Sequence, residues 1–264
     1  MTSATSSVDR FRLDGRIALV TGASSGLGAA AARALAGAGA RVAVTARRLD
    51  RLEVLAHQIG GAAVACDLLD EAQLDELIPE VVDRLGPPEI VVNVAGAIVG
   101  RHGAEGETPA AEDETPAAID QTLRLNLVAP FRVAQAAFPH MVAAGGGAIV
   151  NVSSISGLVG IPGIPQASYA ASKAGLSGLT VELAVQWAAH QIRVNTVAPG
   201  FFRSEITTPL YDGERGNAWL RRNTPLLIEA DADDVVGAIL WLVGDASRFV
   251  TGQTIVVDGG WTAR

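Results

Sequence analysis

The chain has 264 residues, of which 49% are hydrophobic and 18% charged, so it can bury a large core and is not disordered. Its net charge of −8 argues against nucleic-acid binding, because phosphate recognition needs clustered Lys and Arg. Cys66 is the only cysteine, which excludes an internal disulfide and fits a reducing compartment. The polar N-terminal residues and the lack of a run of about 18 apolar residues predict a cytoplasmic protein without a membrane partner.

Apolar runs alternate with helical patterns along the chain. The runs predict seven strands, at residues 16–20, 41–45, 62–66, 89–93, 148–152, 193–197 and 254–257. Helices are predicted between them, at residues 26–38, 50–59, 71–85, 123–144, 168–190 and 233–244. Because continuous apolar strands are covered on both faces and crossovers are right-handed, we expect a doubly wound (Rossmann) α/β fold. It would be a seven-stranded parallel sheet with helices on both faces.

The alternation indicates a single domain over residues 1–264, with residues 1–12 as a flexible N-terminal tail. Two polar segments, 98–118 and 204–223, interrupt it just after the carboxyl ends of strands. Open α/β sheets bind ligands at that edge, so these segments are expected to be variable loops on the substrate side. Solvated surface loops without a function are the alternative.

Residues 21–28 read TGASSGLG between a predicted strand and a predicted helix. Gly22 permits a sharp turn, Gly26 lets a phosphate approach the backbone, and Gly28 allows the helix to pack closely on the strand. The spacing differs from the G-x-G-x-x-G pattern, so tight packing alone remains an alternative. The strand–turn–helix setting nevertheless favours a dinucleotide site, with its phosphates at the helix N-terminus.

The end of the second predicted strand bears on which dinucleotide is bound. An acidic residue there would favour NAD, but the strand runs into Arg47 and Arg48. A guanidinium can bind a 2′-phosphate through charge-assisted hydrogen bonds, so NADP(H) is preferred and NAD(H) remains possible. In the alternative, both arginines are merely solvated. Asp67, after the third predicted strand, is expected to accept a hydrogen bond from the adenine amino group.

Tyr169 and Lys173 lie at i and i+4 of a predicted helix and therefore share one helix face. A phenol titrates near pH 10, so acid/base work near neutrality requires its pKa to fall by about two to three units. A neighbouring ammonium group stabilises the phenolate and would produce such a shift. The pair is suited to general acid/base catalysis on a carbonyl or alcohol oxygen, although an isolated Y-x-x-x-K is usually structural.

The ordered set of motifs resembles the short-chain dehydrogenase/reductase family over nearly the full chain. The matching fragments are TGASSGLG at 21–28, CDL at 66–68, NVAG at 93–96, LNL at 125–127, NVSS at 151–154, YAASK at 169–173, RVNTVAPG at 193–200 and VDGG at 257–260. The resemblance implies an NADP(H)-dependent oxidoreductase that interconverts a ketone and a secondary alcohol by hydride transfer. The same resemblance implies a homotetramer.

The resemblance also implies the catalytic roles. Tyr169 would be the general acid/base, Lys173 would bind the nicotinamide ribose, Ser154 would polarise the substrate oxygen, and Asn126 would hold a proton-relaying water. The implied cofactor-binding residues are Gly22, Ser24, Ser25, Gly26, Leu27, Gly28, Arg47, Arg48, Asp67, Leu68, Asn93, Ala95, Gly96, Tyr169, Lys173, Pro199, Gly200, Phe202 and Ser204.

Three departures from the family pattern stand out. Val94 replaces the usual second asparagine of the motif before Ala-Gly. The stretch from Ser154 to Tyr169 is longer than usual, so Ser156 would restore the count, although Ser154 fits the motif better. The segment 98–126 is also longer, which indicates a remodelled substrate mouth.

Several functions remain open on the sequence alone. The segment after residue 198 resembles gluconate 5-dehydrogenases, and the motif set equally resembles 3-oxoacyl reductases and general ketone reductases. An NAD(H)-dependent polyol or sugar-acid dehydrogenase and a non-catalytic nucleotide-binding sensor are the alternatives. The four histidines lack metal-ligand spacing, so no metal site is expected, and the partner is expected to be a small carbonyl or alcohol substrate.

Overall fold

A computed structural model describes residues 7–99, 108–203 and 207–264. Within these ranges the strands are β1 Ile17–Thr21, β2 Arg41–Ala46, β3 Ala62–Ala65, β4 Ile90–Asn93, β5 Gly147–Val152, β6 Ile192–Pro199 and β7 Thr254–Val257. They form one parallel sheet in the order β3-β2-β1-β4-β5-β6-β7. The strand order reverses between β1 and β4, which creates the crevice where doubly wound sheets bind ligands.

Helices cover both faces of this sheet. In the described residues they are α1 Gly26–Gly37, α2 Leu49–Ile59, α3 Glu71–Arg84, α4 Pro116–Leu123, α5 Ala129–Ala143, α6 Ala167–Trp187, α7 Thr208–Asp212, α8 Glu214–Asn223 and α9 Asp233–Val243. Helices α1, α2 and α9 contribute to the core on one face, and α3, α5 and α6 to the core on the other. The predicted fold class is therefore confirmed.

Strand β1 shows why the apolar runs lack polar alternation. Ala18 and Val20 belong to the core under α1 and α9, whereas Leu19 belongs to the opposite core under α3 and α5, and all three are fully buried. Successive side chains of a strand point to opposite faces, so a sheet covered on both sides needs apolar residues at every position. Ligands therefore bind beyond the strand ends rather than on either face of the sheet.

The predicted helix at 123–144 is wrong as a continuous element. Helix α4 ends at Leu123, a π-helical turn covers Arg124–Val128, and α5 follows. Pro130 has no N–H to donate to the carbonyl four residues earlier, at Asn126, so the α-helical ladder is interrupted there. Single π turns within helices are frequent at functional sites.

The predicted loop at 204–223 is also wrong where the structure describes it, since it contains α7 and α8. Helix α8 buries Leu220, begins at Glu214 and has Arg221 and Arg222 in its last turn. These charges complement the helix dipole at both ends. Residues 204–206 of this segment and 100–107 of the predicted loop 98–118 lie outside the described residues.

The N-terminal segment carries little regular structure. Of the predicted tail at 1–12, residues 1–6 lie outside the described ranges and Asp9–Phe11 form one 3₁₀ turn. The chain joins the fold at Leu13, which is buried and donates its N–H to the Ala38 carbonyl oxygen. In the parts of the chain that the structure describes, no helix has the length and apolarity needed to cross a membrane.

Candidate active site

A cavity of about 620 Å³ lies across the carboxyl ends of the strands. Nearly every sequence-predicted site residue that the structure describes lines it. These residues are Gly22, Ser24, Ser25, Gly26, Leu27, Gly28, Arg47, Arg48, Asp67, Leu68, Ala95, Gly96, Ser154, Tyr169, Lys173, Pro199, Gly200 and Phe202. Asn93 and Asn126 lie behind the wall, and Ser204 lies outside the described residues.

The glycine-rich turn forms one end of the cavity, and two of its glycines are required by close contacts. Gly22 has a φ of +70°, and a Cβ there would lie 2.7 Å from the Ala95 nitrogen. A Cβ on Gly28 would lie 2.3 Å from the Gly22 carbonyl oxygen. Helix α1 begins at Gly26 without a side-chain cap, so its first N–H groups point into a space that suits a phosphate.

This packing predicts that Gly28→Ala disrupts the turn. The added methyl group must displace backbone, so we expect a loss of about 1–3 kcal/mol in the free energy of unfolding and weaker dinucleotide binding. Gly37→Ala is the matched control, because it lies in the same helix with nothing within 4 Å of its Cβ position. Urea unfolding and NADPH titration would compare the two variants, and equal stability would contradict the assignment.

Arg48 lies over the glycine-rich turn, whereas Arg47 is exposed. The Arg48 Nη2 donates to Ser24 Oγ at 2.9 Å and to Ser25 Oγ at 3.0 Å, and its Nε donates to Ser24 Oγ at 3.2 Å. Among the described residues, nothing pairs with Arg47. A guanidinium and two hydroxyls thus meet at the cavity rim, an arrangement that suits a phosphate group.

The third strand brings Cys66, Asp67 and Leu68 to the same wall. The Asp67 carboxylate accepts a hydrogen bond from the Leu69 N–H at 3.1 Å, which fixes its orientation. Burial raises the pKa of the Cys66 thiol to about 11, so the thiol stays protonated near neutrality. A protonated thiol is a poor nucleophile, which favours a structural role for this cysteine.

Lys173 extends from α6 under the cavity floor and is only 2% exposed. Its Nζ donates to the Val152 carbonyl oxygen at 2.9 Å, and it lies 5.6 Å from the centre of the Tyr169 ring. Burial lowers the pKa of Lys173 to about 8. A Cβ at Gly96 would lie 2.8 Å from Nζ, so a larger residue there would push the ammonium group aside.

The Tyr169 phenol faces the same cavity, but the predicted direction of its pKa shift is wrong for the protein groups alone. Burial raises the pKa of Tyr169, and a hydrogen bond with Ser154 only opposes that rise. The spacing of Tyr169 and Lys173 is as predicted, but sequence spacing gives no measure of desolvation. A lower pKa therefore needs positive charge beyond what the protein supplies by itself.

Asn126 occupies the π turn and is fully buried. Its Nδ2 donates to the Ala97 carbonyl oxygen at 2.9 Å and to Ser172 Oγ at 3.0 Å. Its Oδ1 accepts from the Ala97 N–H at 2.9 Å. Both amide hydrogens are thus engaged in fixing the chain after β4 to α6, and the predicted water-holding role stays a prediction.

Asn93 lies below the cavity wall and is 1% exposed. Its Nδ2 donates to Asn151 Oδ1 at 2.9 Å, and Asn151 in turn donates to Thr180 Oγ1 at 2.9 Å. These bonds tie β4, β5 and α6 together. Asn93 therefore supports the strand ends from beneath, although the sequence predicts it in the cofactor groove.

The choice between Ser154 and Ser156 follows from their positions. Ser154 lies two residues after β5, lines the cavity and acts on Tyr169, whose pKa it lowers against the effect of burial. Ser156 lies one 3₁₀ turn further on and is 8% exposed. It does not line the cavity formed by the described residues. The geometry thus favours Ser154 as the residue facing a substrate oxygen.

Several residues near Ser154 and the cavity were not predicted from the sequence. Gln166 donates to Ser156 Oγ at 2.9 Å, and Glu114 accepts from the Ser168 N–H at 3.3 Å, where α6 begins. Arg203 lines the cavity and forms ion pairs with Asp212 and Glu229. Each contact joins residues distant in sequence, and only the position after the APG motif could have signalled Arg203.

Known proteins are similar to this chain over nearly its full length. The family model described as enoyl-(acyl carrier protein) reductase matches residues 22–262. D-threitol dehydrogenase of Mycolicibacterium smegmatis is 38% identical, over 96% of this chain and 95% of that protein. Gluconate 5-dehydrogenase of Gluconobacter oxydans is 34% identical, over 96% of this chain and 97% of that protein.

A solved structure is also similar to the chain over nearly its full length. A gluconate 5-dehydrogenase from Burkholderia cenocepacia, in complex with NADP and tartrate, is 37% identical with a TM-score of 0.88, covering 98% of this chain and 100% of that chain. The chain belongs to the short-chain dehydrogenase/reductase family and is an NAD(P)-dependent oxidoreductase. Within the family it is of the gluconate 5-dehydrogenase-like type, which confirms the resemblance seen in the motifs.

Proposed function

We propose that the protein is an NADP(H)-dependent dehydrogenase/reductase that interconverts a ketone and a secondary alcohol of a polyol or sugar acid, with Tyr169 as general acid/base. The supporting observation is that Tyr169, Lys173 and Ser154 share one cavity with the glycine-rich turn. The residues fit a dinucleotide, because the N-terminus of α1, which has no side-chain cap, and the Arg48 guanidinium line the same cavity and can donate hydrogen bonds to phosphate groups. The bound nicotinamide supplies or accepts the hydride.

The side chains have distinct tasks in this proposal. In reduction, Tyr169 donates its phenol proton to the substrate oxygen while Ser154 donates a hydrogen bond to the same oxygen. The Lys173 ammonium stabilises the resulting phenolate. One of the three N–H groups of the Lys173 ammonium donates to the Val152 carbonyl oxygen, which holds the ammonium in place. The other two N–H groups remain available to the cavity. Oxidation uses the same groups in reverse.

The preference for NADP(H) is proposed to depend on Arg48 more than on Arg47. Arg48→Ala is expected to weaken NADPH binding about tenfold to a hundredfold and NADH binding by less than about threefold, since charge-assisted hydrogen bonds contribute about 1.5–3 kcal/mol. Arg47→Ala should have a smaller selective effect because its side chain is exposed. Fluorescence titrations of the wild type and the two variants would measure six dissociation constants, three for NADPH and three for NADH.

Arg33→Ala is the matched control for this cofactor experiment. Arg33 lies on the exposed side of α1 and donates to Gln58 rather than facing the cavity. It should leave the affinities for both dinucleotides unchanged. Equal losses of NADPH and NADH affinity in Arg48→Ala would refute the 2′-phosphate assignment.

The substrate class is inferred from the relatives' names together with the hydrogen-bonding side chains of Ser154, Tyr169 and Arg203 in the cavity. D-threitol is a sugar alcohol and gluconate is a sugar acid, and both carry the secondary alcohols that the proposed chemistry requires. The test is NADPH formation, followed by absorbance, with D-threitol, gluconate and a second sugar alcohol, galactitol, as substrates. Tight NADP(H) binding without turnover on these or on a broad ketone panel would favour the nucleotide-binding sensor instead.

A homotetramer, expected from the resemblance, is supported by exposed apolar side chains on the long helices. Val181 and Val185 of α6 are 50% and 74% exposed, and Val128 before α5 is 46% exposed. Such residues commonly become buried when helices pair between subunits.

A further inference from the structure

We infer that Ser156 and Gln166 are positioning residues that direct the hydroxyl hydrogen of Ser154 toward the reacting oxygen. This inference rests on the function proposed above. It concerns three side chains: Ser154, at the start of the 3₁₀ turn after β5, Ser156 within that turn, and Gln166, just before α6. Neither Ser156 nor Gln166 lines the cavity formed by the described residues, so each would act through Ser154.

The side chains form a short hydrogen-bonded chain. Gln166 Nε2 donates to Ser156 Oγ at 2.9 Å, and Ser156 Oγ lies 3.2 Å from Ser154 Oγ. Ser154 Oγ also accepts from the Ser156 backbone N–H at 3.1 Å. These hydrogen bonds connect Gln166, in the segment before α6, to Ser154. Helix α6 carries Tyr169, the residue that Ser154 faces.

The number of hydroxyl hydrogens decides which of the two serines can also donate to a substrate. Only one hydrogen can lie between the two serine oxygens, and each hydroxyl owns just one. If Ser154 donates to Ser156, the single hydroxyl hydrogen of Ser154 is already used in that bond and cannot be donated to a substrate oxygen. If Ser156 donates instead, the hydrogen of Ser154 remains available to the cavity.

Two bonds favour the second arrangement. The Gln166 amide donates to Ser156, which strengthens Ser156 as a donor through hydrogen-bond polarisation. The Ser156 N–H occupies a lone pair of Ser154 and directs the Ser154 hydrogen away from the 3₁₀ turn. Ser154 is then an acceptor on its buried side and a donor on the side facing Tyr169.

The test measures oxidation of whichever of D-threitol, galactitol and gluconate the wild-type enzyme uses fastest, with NADP⁺. Ser156→Ala should lower kcat about fivefold to tenfold, the effect of one lost hydrogen bond, with the KM for NADP⁺ unchanged. Gln166→Met should lower kcat about twofold to threefold. Ser156→Thr keeps the hydroxyl and should restore the rate.

A double-mutant cycle separates positioning from a general structural effect. Ser154→Ala should lower kcat about a hundredfold, and adding Ser156→Ala should cost nothing more, because its target is gone. Ser177→Ala is the matched control, as it removes a part-buried hydroxyl on α6 that bonds Ser153 and the Lys173 carbonyl rather than Ser154. It should keep the wild-type kcat.

The possible failures are distinguishable. A wild-type rate in Ser156→Ala, or losses that multiply in the double variant, would overturn the positioning role while leaving the proposed function intact. An equal fall in Ser177→Ala would also overturn it, by showing a general loss of packing. If the wild-type enzyme oxidises none of the three compounds, the proposed function fails and the positioning role fails with it.

Discussion

Tyr169→Phe is expected to lower kcat about a hundredfold to ten-thousandfold while leaving NADPH affinity within about twofold of wild type. The substitution removes one oxygen and keeps the ring, so the packing around α6 is preserved. What disappears is the proton donor to the substrate oxygen, and general acid/base groups typically contribute rate factors of this size. Steady-state kinetics and fluorescence titration would separate the loss of turnover from any loss of binding.

Tyr211→Phe is the natural control, because the chain has only two tyrosines. The Tyr211 hydroxyl donates to the Phe201 carbonyl oxygen at 2.8 Å, and the residue lines a separate cavity of about 230 Å³. It should lose much less than Tyr169→Phe. Near-normal turnover in Tyr169→Phe would remove the basis of the proposed mechanism.

Local sequence rules predict the glycine-rich turn that forms one end of the cavity. The turn at 21–28 depends on backbone conformations and close contacts that only glycine permits, so the positions of its glycines predict its conformation. The pairing of Tyr169 with Lys173 follows from helical spacing in the same way. The doubly wound parallel sheet could also be predicted, since apolar runs joined by right-handed crossovers leave few alternatives for the fold class.

Features that depend on tertiary packing could not be predicted in this way. The direction of the Tyr169 pKa shift is set by burial, which spacing does not report. The contact between Gln166 and Ser156 depends on how the segment before α6 folds back onto β5. The π turn had a signal in Pro130, but the apolar pattern around it continued and suggested one long helix.

Lys173→Met is expected to abolish most turnover and, at the same time, to raise the thermal stability of the cofactor-free protein. Burial lowers the pKa of Lys173 from 10.5 to about 8, which corresponds to a cost of roughly 3 kcal/mol for keeping the ammonium charged in the fold. A methionine of similar length removes that cost. It also leaves the Val152 carbonyl oxygen without its donor, so the net gain should be about 1–2 kcal/mol.

The pH dependence identifies the cause of this gain. Because the folded pKa is depressed, the cost is fully present below about pH 8 and disappears as the pH rises toward 10.5, where the unfolded chain also loses the proton. The difference in Tm between Lys173→Met and wild type should therefore be largest near pH 7 and should shrink between pH 8 and 10.5. A difference that stays constant with pH would mean that packing, rather than a buried ammonium, separates the two proteins. In that case Lys173 would not be the buried, charged ammonium group that the proposed stabilisation of the phenolate requires.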